Sequence, residues 1–202
     1  MKFDNRSITS ATPDLADEEF YIRHCLKENE GFVQSFFMTA QHIEEVSLVN
    51  SKDICDNTIL ILAAHCMNLK SLNVSRARSI TNSSIIQLSE ACRTLTSINL
   101  SQCFGLKGDT ALLAVIQNCT HMTSFDLNNS EAATDNAIVA MADHCGAKLR
   151  RLMLSGVHTL HKQETVLHLL SRCPNLAELS LKDCRNTVLT RQSIDSIAEH
   201  CK

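Results

Sequence analysis

The chain has 202 residues, 44% of them hydrophobic, with seven Phe, one Tyr and no Trp, so aliphatic side chains must build its core. Lys and Arg total 19 against 22 Asp and Glu; the acid excess sits in residues 1–40, with seven acids and four bases, while residues 41–202 carry fifteen of each. No basic cluster stands out, which argues against a nucleic-acid partner. No run approaches the ~18 apolar residues that cross a bilayer, and the start Met1-Lys-Phe-Asp-Asn-Arg lacks a secretory signal's apolar stretch. A soluble cytoplasmic protein is expected, with nuclear or cytoskeletal association as the alternatives, and its ten cysteines are expected to be thiols.

Residues 1–13, polar and carrying Pro13, read as a mobile leader. Residues 14–26 read as a helix. Leu15, Phe20, Ile22 and Leu26 give it an apolar face, and Asp17, Glu18 and Glu19 suit its first turn through the helix dipole. This helix is a candidate cap for an open end of the fold, and its acidity makes a docking surface the rival reading. After Gly31 the helical spacing resumes at Val33, Phe36, Phe37 and Ala40, followed by a strand over residues 43–48. Residues 1–39 are thus a leader, a capping helix and a degenerate repeat helix.

From residue 40 to 202 one pattern repeats. Cys92-Arg-Thr-Leu95-Thr-Ser-Ile98-Asn-Leu100-Ser-Gln-Cys103 has counterparts starting at Cys66, Cys119, Cys145 and Cys173, at intervals of 26, 27, 26 and 28 residues, and Cys201 follows 28 later. Such a period with apolar L-x-x-L-x-L positions is the signature of a leucine-rich repeat solenoid of about six repeats. In its strand half, alternate residues such as Leu69, Leu72 and Val74 point inward. Mostly small residues fill the following turn, at Ser51, Ala77, Cys103, Ser130, Val157 and Cys184. In the helix half, apolar pairs precede each Cys: Ile59/Leu62, Ile85/Leu88, Leu112/Val115, Ile138/Met141, Val166/Leu169 and Ile194/Ile197. Thr81, Thr134 and Thr190 fall at helix starts, where a hydroxyl caps free N–H groups.

His65-Cys66, His144-Cys145 and His200-Cys201 invite a metal or Cys/His catalytic reading. Because they recur at one repeat position, the Cys column is expected to be a stack of buried small hydrophobes, with the histidines partly exposed near helix ends. The sequence holds no C-x-x-C, H-E-x-x-H, G-x-x-x-x-G-K-[ST], G-x-S-x-G or G-x-G-x-x-G. Neither an enzyme nor a cofactor is expected. Strand alternation instead puts a polar row on the open side of the sheet: Glu45, Ser47, Val49 and Asn50; Ser71, Asn73, Ser75 and Arg76; Ser97, Asn99, Ser101 and Gln102; Ser124, Asp126, Asn128 and Asn129; Arg151, Met153 and Ser155; Glu178, Ser180, Lys182 and Asp183. Arg76, Asn99, Gln102, Asp126, Asn128, Arg151, Met153, Glu178 and Lys182 are the candidate protein-binding residues, with Met153 as an apolar anchor. The rival reading is a solvated face held by its own Ser and Asn hydrogen bonds.

These in-phase copies, with the helix-start phrases Ile80-Thr81-Asn82 and Ala133-Thr134-Asp135, resemble the cysteine-containing leucine-rich repeats of F-box proteins. The resemblance implies a curved parallel sheet inside an arc of helices, used to bind proteins, commonly as the substrate-recognition part of an SCF-type ubiquitin ligase. Residues 1–40 contain neither the Leu-Pro nor the Trp of an F-box. The expected partners are therefore a ubiquitin-ligase adaptor or, in the alternative reading as a structural scaffold subunit, a cytoskeletal or other large assembly. The chain stops at Cys201-Lys202, where a further strand would begin, so the strand over 176–181 is expected to be a sheet edge covered by another protein or by further sequence.

Overall fold

A computed structural model of the chain describes residues 2–3, 42–49 and 54–184. The elements, in order, are β1 (Lys2–Phe3), β2 (Glu45–Ser47), α1 (Asp56–His65), β3 (Ser71–Asn73), α2 (Asn82–Ala91), β4 (Ser97–Asn99), α3 (Thr110–Asn118), β5 (Ser124–Asp126), α4 (Asp135–Cys145), β6 (Arg151–Met153), α5 (Gln163–Arg172) and β7 (Glu178–Ser180). All strands pair in parallel and in chain order, β1 to β7. Sequential parallel strands joined by helices, each helix packing on the next, make a leucine-rich repeat solenoid with a curved sheet on its concave side and helices on its convex side.

The period-2 rule decides the inside of each coil. The central residues Val46, Leu72, Ile98, Phe125 and Leu152 are buried, while their strand neighbours are half-buried on the open face. From the helices, Ile59 and Leu62, Ile85 and Leu88, Leu112 and Val115, Ile138 and Met141, and Leu169 meet them in one core, and Val166 is buried as well. The turn positions Ala77, Cys103, Ser130, Val157 and Cys184 are buried as well, so the small residues sit where neighbouring coils come closest. Leu179 and Leu181 of the last described coil are only partly buried, unlike Leu152 and Leu154 before them.

The cysteine column has a physical reason beyond size. Cys66, Cys92, Cys119 and Cys173 are the C-caps of their helices, where backbone carbonyls lack intrahelical partners. The Cys92 thiol donates to the Cys66 carbonyl at 3.2 Å, and the Cys119 thiol to the Cys92 carbonyl at 3.6 Å. An alanine or valine there would pack but could not donate. Among the described residues all the cysteines are free thiols. Burial pushes Cys66, Cys92 and Cys103 up to about 12, and Cys119 and Cys145 up to about 11, so they stay protonated at neutral pH. His65 and His144 lie in the last turns of their helices, half-buried and exposed respectively.

Three local expectations change. Lys2 and Phe3, read as leader, pair with Glu45 and Val46 and cover the unpaired edge of β2. Thr81 stands at the N-cap of α2 without capping it. Its amide and hydroxyl both donate to the Asp56 carboxylate of the preceding coil, at 2.7 and 2.8 Å. These charge-assisted bonds turn the hydroxyl toward the preceding coil rather than over the first turn of α2. Thr134, by contrast, accepts from the Ala137 amide as expected, while donating to Asp109. Thirdly, Ser75 is buried rather than on the open face, whereas its counterparts Ser101, Asn128 and Ser155 are half-buried. The expected helix over 14–26, the degenerate repeat helix, Asn50, Ser51, Thr190, the pair Ile194/Ile197, His200 and Cys201 lie outside the described residues.

Candidate functional site

Registered pairing stacks the open-face residues in two columns. Ser71, Ser97, Ser124, Arg151 and Glu178 form the first; Asn73, Asn99, Asp126, Met153 and Ser180 form the second. In the second column the Asx side chains are engaged by their own backbone. The Ser75 amide donates to Asn73 Oδ1 at 3.1 Å, the Ser101 amide to Asn99 Oδ1 at 3.0 Å, and the Asn128 amide to Asp126 Oδ1 at 3.3 Å. Each is an Asx turn that steers the chain out of its strand. Asn99 Nδ2 also donates to Asp126 Oδ2 at 3.2 Å, linking neighbouring coils. Asn99 and Asp126, two of the candidates, are thus occupied in shaping the sheet.

Met153 breaks this column. A thioether cannot accept as an Asx oxygen does, so the equivalent amide, that of Ser155, donates instead to Asn128 Oδ1 of the preceding coil at 2.6 Å. Met153 is a half-buried apolar side chain between Asp126 and Ser180, and in the adjacent column Arg151 Nε donates to Glu178 Oε2 at 2.7 Å. The pair's side chains are 41% and 55% exposed, which leaves both within reach of a partner. Burial pushes Asp126 above the usual carboxylate range; the Asn128 amide and the Arg151 charge oppose this, and Glu178 adds to it. Arg151, Met153 and Glu178, with Asp126 and Asn128 at their edge, are brought together, and exposed Lys182 follows β7.

Arg76 and Gln102 fall elsewhere, on the turn beyond the strands. There Arg76, Gln102, Asn129, Gly156 and Asp183 all take left-handed backbones, with φ of 68°, 57°, 55°, 70° and 59°. This turn aims the amides of Arg76, Gln102, Asn129 and Gly156 at carbonyls of the next coil, 2.7–3.0 Å away. Asn, Asp and Gly adopt this conformation readily; Arg and Gln do so against steric resistance. At Gly156 a Cβ would also fall on the Asn129 side chain, which folds over the glycine. A recess of about 490 Å³ opens beside it, lined by Asn129, Ser155, Gly156, His158 and Asp183 among others.

The sequence reading misses a second group. At the opposite, N-terminal rim of the strands a trough of about 550 Å³ is lined by Lys70, His121, Lys148 and Arg150, interleaved with Thr94, Thr96, Thr123 and Asn175. Lys70, Thr96, Thr123 and Arg150 each directly precede a strand, and His121 and Lys148 each stand three residues ahead of one, so an in-register alignment of the repeats is the signal that finds them. Neither a His/Cys/Asp/Glu group able to hold a metal nor a helix long and apolar enough to cross a membrane occurs among the described residues.

No family model matches the chain. No curated protein matches it either. Solved structures similar to it include a chain of the Rad7 and Elc1 complex of yeast, at 16% identity and a TM-score of 0.47, over 83% of this chain and 56% of that one. The tropomodulin C-terminal domain of Caenorhabditis elegans is similar at 11% identity and a TM-score of 0.46, over 84% of this chain and 89% of that one. Leiomodin-1 actin-binding site 2 is similar at 13% identity and a TM-score of 0.43, over 93% and 88%. The chain thus spans little more than half of the first of these.

Proposed function

We propose that this chain is a non-enzymatic protein-interaction module that holds its partner on the concave sheet, centred on Arg151, Met153 and Glu178. The observation that supports this reading is Met153. At its position the three preceding coils, from β3 to β5, use Asx residues to make their own turns, and the methionine gives up that bond for a half-buried apolar side chain on the open face. The other coils keep a polar side chain at this position, an Asx or, at Ser47 and Ser180, a serine. Met adapts its shape to a partner's surface, and an Arg beside it supplies a common type of anchoring side chain. The buried, protonated thiols offer no nucleophile, in keeping with a binding role.

Within that reading the finer assignment is the substrate-receptor part of an SCF-type ubiquitin ligase acting in the cytoplasm, supported by the resemblance of the repeat pattern to F-box proteins. The experiment compares proteins cross-linked to the wild-type chain with those cross-linked to Arg151→Ala and Met153→Asn. Partners should be lost with both variants while the melting temperature holds, because Asn restores the turn bond. Recovery of the same partners at the same yield from both variants would refute the concave-face reading. Binding of the ligase adaptor to the full chain, measured separately, decides the finer assignment.

A further inference from the structure

We infer that the trough along the N-terminal rim of the sheet is a docking groove for an extended, carboxylate-rich peptide, separate from the concave face and independent of the function proposed there. Its lining residues include Lys70, His121, Lys148 and Arg150 and no Asp or Glu. A balancing charge is at one end, where Lys70 Nζ lies 2.6 Å from Glu44 Oε1. Lys148 Nζ donates to the Thr120 carbonyl at 2.9 Å, a neutral partner that leaves its charge uncompensated. Arg150 and His121 have no side-chain partner among the described residues. The aligned charges of Lys70, Lys148 and Arg150 between low-dielectric walls raise the local concentration of an anionic ligand.

The polar residues between the cations indicate what kind of anion. The Thr96 hydroxyl donates to the Lys70 carbonyl at 3.0 Å and the Thr123 hydroxyl to the Thr96 carbonyl at 3.1 Å. The Thr94 hydroxyl donates to the Leu69 carbonyl at 2.9 Å, and Asn175 Nδ2 to the Ala147 carbonyl at 2.8 Å. With the threonine hydrogens directed at the preceding coil, their oxygens have lone pairs left to offer, as has Asn175 Oδ1, whose amide keeps a second N–H as well. The groove therefore presents acceptors alongside cations. A phosphate or phosphodiester brings no donors to match them, whereas a peptide brings backbone N–H groups with its carboxylates. From β3 to β6 the rim covers three strand spacings of ~4.8 Å, about 14 Å, the length of four or five extended residues.

The test measures fluorescence anisotropy of the full chain with a labelled seven-residue Glu/Asp peptide and with its Gln/Asn analogue. The acidic peptide should bind, weaken as salt is raised, and bind at least about tenfold tighter than the amide analogue. Lys148→Gln with Arg150→Gln should lower its affinity by about tenfold and leave the melting temperature unchanged, and Lys70→Gln should weaken it less. Met153→Asn should leave it within about twofold, which separates this groove from the concave face. Absence of binding, equal binding of the amide analogue, indifference to the double substitution, or tighter binding of a single-stranded oligonucleotide would each overturn the inference.

Discussion

On β3 and β4 the concave face carries Ser71, Asn73, Ser97 and Asn99; on β6 and β7 the same positions carry Arg151, Met153, Glu178 and Ser180. In the first half the Asx oxygens accept from the backbone two residues on. In the second, the side chains face each other or the open side, and a neighbouring coil supplies the missing acceptor. Identical backbone positions in one repeat fold thus separate two kinds of residue. A polar side chain bonded to its own turn is explained by the fold, whereas one whose place in the turn must be filled from elsewhere calls for another explanation.

The harshest way to break this comparison is to remove the layer that the halves share. Phe125, wholly buried, sits at the centre of β5 between them. Phe125→Ala should destabilise by about 3–5 kcal/mol through lost burial and the cavity left behind. Because each repeat is stabilised by its neighbours, the loss should appear as one lowered transition in thermal or urea unfolding. Two separated transitions would mean that the halves fold as independent units, and the contrast between them would then lie between units rather than within one.

A subtler probe is Asp126, where the halves meet. Burial raises its pKa, so the native state takes up this proton before the unfolded chain does. Its contribution therefore makes folding relatively more favourable as pH falls through the folded value. The carboxylates at the helix starts act with the opposite sign. Burial pushes Asp56 up, but the hydroxyls of Ser84 and Thr81 and the Thr81 amide hold it below the ordinary value. Asp109 is lowered chiefly by Asn136, against burial, with help from Thr134. In Asp135 burial is outweighed by Thr165 and the amides of His161 and Lys162. Their stabilisation is complete above the unfolded value near pH 4 and is lost as pH falls through their folded values. Carboxyl titration by NMR should place Asp126 above its ordinary value and the other three below theirs. Met153→Asn, which puts a polar group beside Asp126, should bring Asp126 down; an unmoved value would show that Met153 does not help to bury it.

The repeat architecture was legible because a 26–28-residue period and the apolar spacing of Leu69, Leu72 and Val74 leave few other folds. The columns of the open face follow from the same alternation, and strand register pairs Arg151 with Glu178. Other features depend on what the next coil does. Thr81 loses its capping role to Asp56, 25 residues away, and no local rule anticipates that. Arg76 and Gln102 leave the sheet because the turn is left-handed, a conformation their side chains do not advertise. The basic residues of the rim look diluted along the chain, since Lys70, His121 and Lys148 are 51 and 27 residues apart. Stacking reduces each repeat to ~4.8 Å, and a sparse pattern becomes a continuous stripe.

The smallest expected effect isolates the contrast to one hydrogen bond. In the wild type, Asn128 Oδ1 is the acceptor for the Ser155 amide, so Asn128→Ala leaves that part-buried amide without its acceptor and should cost about 1 kcal/mol. Met153→Asn alone should change stability by only a few tenths of a kcal/mol, since it offers the amide a second acceptor where one already exists. In the Met153→Asn background the local Asx turn takes over, and Asn128→Ala should then cost only a few tenths. The difference, about 0.5–1 kcal/mol, is the coupling energy of a double-mutant cycle read by urea unfolding. Additive effects would mean that the new asparagine does not reach the Ser155 amide, and that Met153 stands there for a reason of packing rather than in place of a turn residue.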